Sequence, residues 1–137
     1  MNAVEWYFGF HKPYLSSYRG WFGHVEAWGY TADNTWFFID PWLDRTRFFI
    51  THHHDDVIDM LAVRFNSCET VLKYRPDGSS LSFPIHPTMN CATTCGHFVG
   101  LRAFTPSGLR RKLLAHGAEV IHGQAQGRSR GQEGTAA

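Results

Sequence analysis

The stretch from Val4 to Thr51 constrains the fold most, because aromatic and β-branched residues recur there in short runs broken by turn formers. Such runs bury their side chains best on a pleated sheet. Val4 to Phe10 alternates and predicts a first strand, followed by a turn-rich segment from His11 to Gly20 with Pro13, Ser16, Ser17 and Gly20. Trp21 to Tyr30 and Thr35 to Asp40 are two more strands, joined through Thr31-Ala32-Asp33-Asn34, a polar connection of hairpin length. Arg47 to Thr51 is the next, so the N-terminal half predicts three or four antiparallel strands. The aromatic stripe of Trp36, Phe37, Phe38, Phe48 and Phe49 is expected to pack in the core.

From Asp55 the period changes. Val57, Ile58, Leu61, Ala62 and Phe65 form an apolar stripe at helical spacing, with Asp55 or Asp56 as N-cap. Cys68 to Tyr74 and Leu81 to Ile85 read as strands on either side of a turn at Pro76-Asp77-Gly78-Ser79. Thr88 or Asn90 caps a helix running to about Leu101. Thr105-Pro106 starts another, which runs to His116 and stops at Gly117. Ala118 to Ile121 is a last strand, and 123–137 lacks periodicity and reads as a disordered tail behind a single domain over 1–122. The expected class is therefore α+β: an antiparallel sheet packed against C-terminal helices.

With 137 residues, 43% hydrophobic and 18% charged, the chain can bury the core of one domain. A net charge of +1 argues against a nucleic-acid binder. The apolar runs are far shorter than the ~20 residues of a membrane-spanning helix, and no signal-peptide layout opens the chain. Three cysteines, an odd number, argue against a disulfide framework. A cytoplasmic protein with free thiols is expected.

Cys91, in Asn90-Cys91-Ala92-Thr93-Thr94-Cys95-Gly96-His97, falls at or beside a helix start. Unpaired backbone N–H groups and the positive dipole end favour a negative sulfur there, as cysteine nucleophiles require. Cys95, one turn on, suits a small buried hydrophobe, and His97 points to a different helix face. A base for Cys91 must come from the sheet, where His24 lies in Gly23-His24-Val25-Glu26-Ala27-Trp28 and Trp36-Phe37-Phe38-Ile39-Asp40-Pro41 occupies the following strand.

This pairing resembles the transglutaminase-like members of the papain superfamily, in which a strand His and the Asp of an Asp-Pro dipeptide on the next strand complete a Cys-His-Asp triad. His24, Glu26, Trp36, Asp40 and Pro41 match that pattern locally. The order differs, because no Cys precedes His24. His first and Cys last is the order of the circularly permuted branch, with relatives of NlpC-type peptidases and lecithin:retinol acyltransferase-like proteins. Pro87 to Cys91, Gly100-Leu101-Arg102 and Thr105-Pro106 resemble phage and bacterial proteins of that type. The resemblance spans roughly His24 to Ile121 and implies a permuted papain-like topology with Cys91 on a C-terminal nucleophile helix. It also implies thiol-dependent hydrolysis or acyl transfer on a peptide, protein or acyl-ester substrate, without cofactor or metal.

A cysteine nucleophile needs a base within hydrogen-bond reach, and that imidazole needs an acceptor on its other nitrogen. Asp40 and Glu26 both qualify as the acceptor. A two-residue turn pairs Tyr30 with Thr35, sets His24 opposite Pro41 and turns Asp40 to the other face; a one-residue change in loop length brings Asp40 opposite His24. Glu26 shares the face of His24 in either case. The backbone N–H of Cys91 is the natural oxyanion donor. Two alternatives stand beside this one: a papain-like scaffold without activity, serving a phage-associated or host-interaction role, and a metal-dependent hydrolase built on His52, His54 and Asp56.

Overall fold

The computed structural model describes residues 3–12, 23–42, 45–76 and 90–123. Strands β1 (Ala3–His11), β2 (His24–Thr31), β3 (Trp36–Pro41) and β4 (Thr46–Thr51) come first. Helix α1 (His54–Ser67), strand β5 (Thr70–Tyr74), helices α2 (Cys91–Phe98) and α3 (Pro106–Ala115) and strand β6 (Glu119–His122) follow. The six described strands form one antiparallel sheet in the order β4-β3-β2-β1-β5-β6. The expected α+β class and antiparallel sheet are what the chain adopts. The expected turn at 77–79, the strand at 81–85, the Thr88 cap and the tail beyond Gly123 lie outside the described residues. No described helix is long and apolar enough to cross a membrane.

Strand alternation sorts the core into two layers. Phe8, Phe10, Val25, Ala27 and Leu72 face one way and pack with Ala92 and Cys95 of α2 and Leu109 and Leu113 of α3. Trp28, Phe38 and Val71 face the other way and pack with Met60, Leu61 and Phe65 of α1. Strand β2 is thus covered on both faces, and its residues from His24 to Gly29 are all buried. Fully burying an aromatic side chain such as Phe8 or Phe10 stabilises the fold by about 2–3 kcal/mol each.

The aromatic stripe divides at the sheet edge. Phe38 is buried, whereas Phe48 and Phe49 are 59% and 41% exposed, correcting the expectation that both lie in the core. Among the described residues strand β4 has a neighbour on one side only, so its side chains lack the cover that β2 and β3 receive.

Helix ends follow their local chemistry with two corrections. The N-cap of α1 is His53, which makes no side-chain cap bond, rather than Asp55 or Asp56. Thr51 closes this end instead: its hydroxyl donates to Asp56 Oδ2 at 3.0 Å and accepts from His53 N–H at 3.0 Å. Helix α2 stops at Phe98, short of Leu101, because Gly100 turns left-handed at φ 75° and Leu101 N–H donates to the Gly96 carbonyl at 2.8 Å. The same closure ends α3, with Gly117 at φ 94° and Ala118 N–H on the Leu113 carbonyl. Cys68 forms the C-cap of α1, which delays β5 to Thr70.

Asn90 and Thr93 form a reciprocal capping box at the start of α2, with Asn90 Oδ1 accepting from Thr93 N–H at 2.8 Å and Thr93 Oγ1 from Asn90 N–H at 2.7 Å. Asn90 Nδ2 also donates to the Phe104 carbonyl at 3.0 Å, tying this end to the approach to α3. Asn90→Ala is expected to lower unfolding free energy by about 1 kcal/mol or more in urea denaturation, and a loss near zero would show that the box contributes little.

Candidate active site

The Asn90 cap makes Cys91 the first residue of α2, half-buried, in the turn whose backbone N–H groups have no intrahelical acceptor. Helix α2 lies on β2 through Ala92 and Cys95, and the Cys95 thiol reaches the Val25 carbonyl at 3.7 Å. His24 is the first residue of β2, at the end of the sheet, where its ring is met from more than one side. Its Nε2 lies 2.5 Å from Asp40 Oδ1, and Cys91 is near enough to the imidazole to help raise its pKa. Three residues far apart in sequence meet at one imidazole: Cys91, His24 and Asp40.

The Asp40 contact arises from a register that differs from both expected alternatives. Tyr30 pairs with Trp36 and Ala27 with Ile39, so the connection is longer than a two-residue turn. Asn34 adopts φ 66° within it. Extending that register sets Glu26 beside Asp40 and His24 beside Trp42, all on one face, and the His24–Asp40 bond runs diagonally between the strands. Trp42 is the residue that sequence reasoning missed. Its ring stacks on the imidazole at 3.9 Å between centroids and 13° between planes, and it helps hold the Asp40 carboxyl below its ordinary value. Trp36, which matched the family pattern in sequence, lies at the other end of β3 against Tyr7, Tyr30 and Phe38.

Glu26 does not hold His24. Its Oε2 accepts from His11 Nε2 at 2.7 Å, and its Oε1 makes an ion pair with Arg64 Nε of α1 at 2.6 Å. Burial of β2 explains this: a carboxylate there needs cationic or donor partners, and β1 and α1 supply them.

Burial alone would lower the basicity of His24, but hydrogen bonds and charge from Asp40 and Cys91 outweigh it and raise the pKa to about 9. Burial likewise opposes ionisation of Asp40, and bonds from His24 and Trp42 overcome it, leaving the carboxyl below its ordinary value. Cys95, fully enclosed, has its thiol pushed well up by burial. His11 is raised to about 10 by Cys68 and Glu26.

A cleft of ≈ 280 Å³ opens beside the imidazole, lined by His11, His24, Glu26, Asp40, Trp42 and Ser67, with Lys12 at its rim. Cys91 is not part of that lining, so the cleft lies on the α1 side of the ring while the sulfur meets it from α2. Metal-ligating atoms converge in one group among the described residues, formed by His11, Glu26 and Cys68. His52, His54 and Asp56 do not converge: His52 stacks on His53, and Asp56 serves Thr51. Cys91 and Cys95 likewise form no ligand group with His97. No family model, curated protein or solved structure matches the chain.

Because His24 binds its proton more tightly folded than unfolded, its contribution to stability is complete below about 6.5 and is lost as pH rises through about 9. In chelator-treated protein the difference in Tm between wild type and His24→Gln is expected to be largest near about pH 6 and to shrink toward about pH 10. A difference that widens over this interval would mean that His24 is held neutral.

Proposed function

We propose that the chain is a thiol-dependent hydrolase or acyltransferase of permuted papain-like topology, with Cys91 as nucleophile, His24 as base and Asp40 as the group that orients it. The observation that carries this reading is the His24–Asp40 hydrogen bond at the end of β2, with Cys91 near that imidazole at the start of α2. Half-burial of Cys91 and the Asp40 contact with His24 support this reading over an inactive scaffold, which a fully buried Cys91 or a missing acid would favour.

The chemistry follows from these positions. His24, its pKa raised to about 9, holds the proton that the thiol gives up, and the sulfur of Cys91 attacks the carbonyl carbon of an amide or ester. The carbonyl oxygen gains the negative charge, which the Cys91 N–H and the dipole of α2 stabilise. As the tetrahedral intermediate collapses, the C–N or C–O bond breaks and His24 passes its proton to the departing amine or alcohol. Water, or an acceptor amine or alcohol in transfer, then attacks the thioester with His24 again as base, and Cys91 is released. Asp40 keeps Nε2 occupied, so Nδ1 is the nitrogen available to the sulfur, and Trp42 covers one ring face against water.

Alkylation by iodoacetamide tests the pairing. Cys91 is expected to react faster than Cys68 or Cys95, although burial of the latter two contributes to that difference. The sharper comparison is within Cys91 itself: His24→Ala should slow its labelling roughly tenfold or more near neutral pH, and Asp40→Asn by less. Incubation with p-nitrophenyl acetate should leave an acetyl group on Cys91 in wild type and none in Cys91→Ala. If His24→Ala leaves the labelling rate unchanged while His97→Ala shifts it, the site belongs to α2 alone and the pairing is wrong.

A further inference from the structure

We propose that His11, Glu26 and Cys68 form a binding site for a thiophilic divalent transition metal, zinc foremost, with a coordination position open toward the cleft. The three residues come from three elements: β1, β2 and the C-cap of α1. One atom of each, His11 Nε2, Glu26 Oε2 and Cys68 Sγ, lies within 4.8 Å of the other two. The Nε2 to Sγ separation is 3.5 Å and the Nε2 to Oε2 separation is 2.7 Å. Tetrahedral zinc with bonds of about 2.0–2.3 Å holds its ligand atoms roughly 3.3–3.8 Å apart. The nitrogen–sulfur pair already meets that spacing, and the hydrogen-bonded nitrogen–oxygen pair needs to open by less than about 1 Å.

A second cysteine–histidine–acid relay does not explain this group. In a relay the imidazole bridges, with one nitrogen for the sulfur and the other for the acid. Here both Cys68 Sγ and Glu26 Oε2 address the same nitrogen of His11, so all three point at a common centre. Gly9 allows it: a Cβ at that position would collide with Cys68 Sγ and the Trp28 ring.

The surroundings select the ion. Cys68 is 4% exposed, which shields a metal–thiolate bond from water. Glu26 keeps Oε1 on Arg64, whose guanidinium lies over the Phe38 ring at 4.7 Å, and this fixes the carboxylate while offsetting part of its charge. Hard cations that depend on carboxylate charge lose by that arrangement, whereas zinc or cobalt draws its affinity from thiolate and imidazole. Binding releases the Cys68 thiol proton and any proton on His11 Nε2 to solvent. His11 and Glu26 also line the cleft, so water or a ligand in it reaches the remaining position.

Titration of the reduced, full-length chain with Co²⁺ tests the proposal. Wild type is expected to bind about one ion with a sulfur-to-cobalt charge-transfer band and the visible spectrum of a tetrahedral site, both displaced by Zn²⁺. Cys68→Ser should abolish the charge-transfer band, and His11→Asn, at a partly exposed strand end, should weaken binding at least about tenfold. Cys91→Ser should leave both unchanged, which separates this site from the proposed nucleophile. Circular dichroism identifies a variant that has not folded, and the other substitution then decides. No charge-transfer band in wild type, or a band that survives Cys68→Ser and disappears in Cys91→Ser, overturns the assignment.

Discussion

Burial of β2 on both faces is the constraint on which the rest depends. Its residues from His24 to Gly29 are shut between the α1 layer and the α2–α3 layer, yet two of them, His24 and Glu26, are ionisable. A buried charge without partners costs several kcal/mol, so each must be answered by a group brought from elsewhere. Asp40 and Cys91 answer His24, while His11 and Arg64 answer Glu26. Both clusters are therefore consequences of how the sheet is covered, and they share a wall because the two residues are neighbours on one face of one strand.

Local chemistry was legible in the sequence wherever a few adjacent residues decide the outcome. Asn90 with Thr93, Thr105 before Pro106, and Gly117 mark helix ends through bonds made within one turn, and α2 and α3 start and α3 stops where those residues predict. Alternation placed the described strands to within three residues, the largest shift being the start of β2 at His24 rather than Trp21. Exposure across a whole sheet was not legible. Phe48 and Phe49 have the composition of a core strand, and only the strand order reveals that β4 is an edge among the described strands.

Register was also hidden, for a specific reason. The β2–β3 connection can gain or lose a residue without altering its polar composition, and each step moves Asp40 relative to His24. The observed contact is diagonal, which considering only directly opposite residues overlooks. Trp42 followed from the same register: once His24 falls beside it, stacking is the natural outcome, but nothing in Pro41-Trp42 by itself indicates it. The convergence of His11 with Cys68, 57 residues apart, required the β1–β5 pairing and the end of α1, neither visible as a motif.

The three cysteines show how one fold gives the same side chain three environments. Cys95 is enclosed within α2 against β2, with a thiol pushed well up by burial and a lone carbonyl contact, so it acts as packing. Cys68 is also buried, but it caps α1 beside an imidazole and a carboxylate, a setting that suits a sulfur to the ligand role proposed above. Cys91 alone combines partial exposure, a helix start and an imidazole already held by an acid. One turn of helix separates Cys91 from Cys95, and that turn is enough to move a thiol from the end of the sheet into its core. The position of the Asn90 cap therefore decides which of the two can do chemistry.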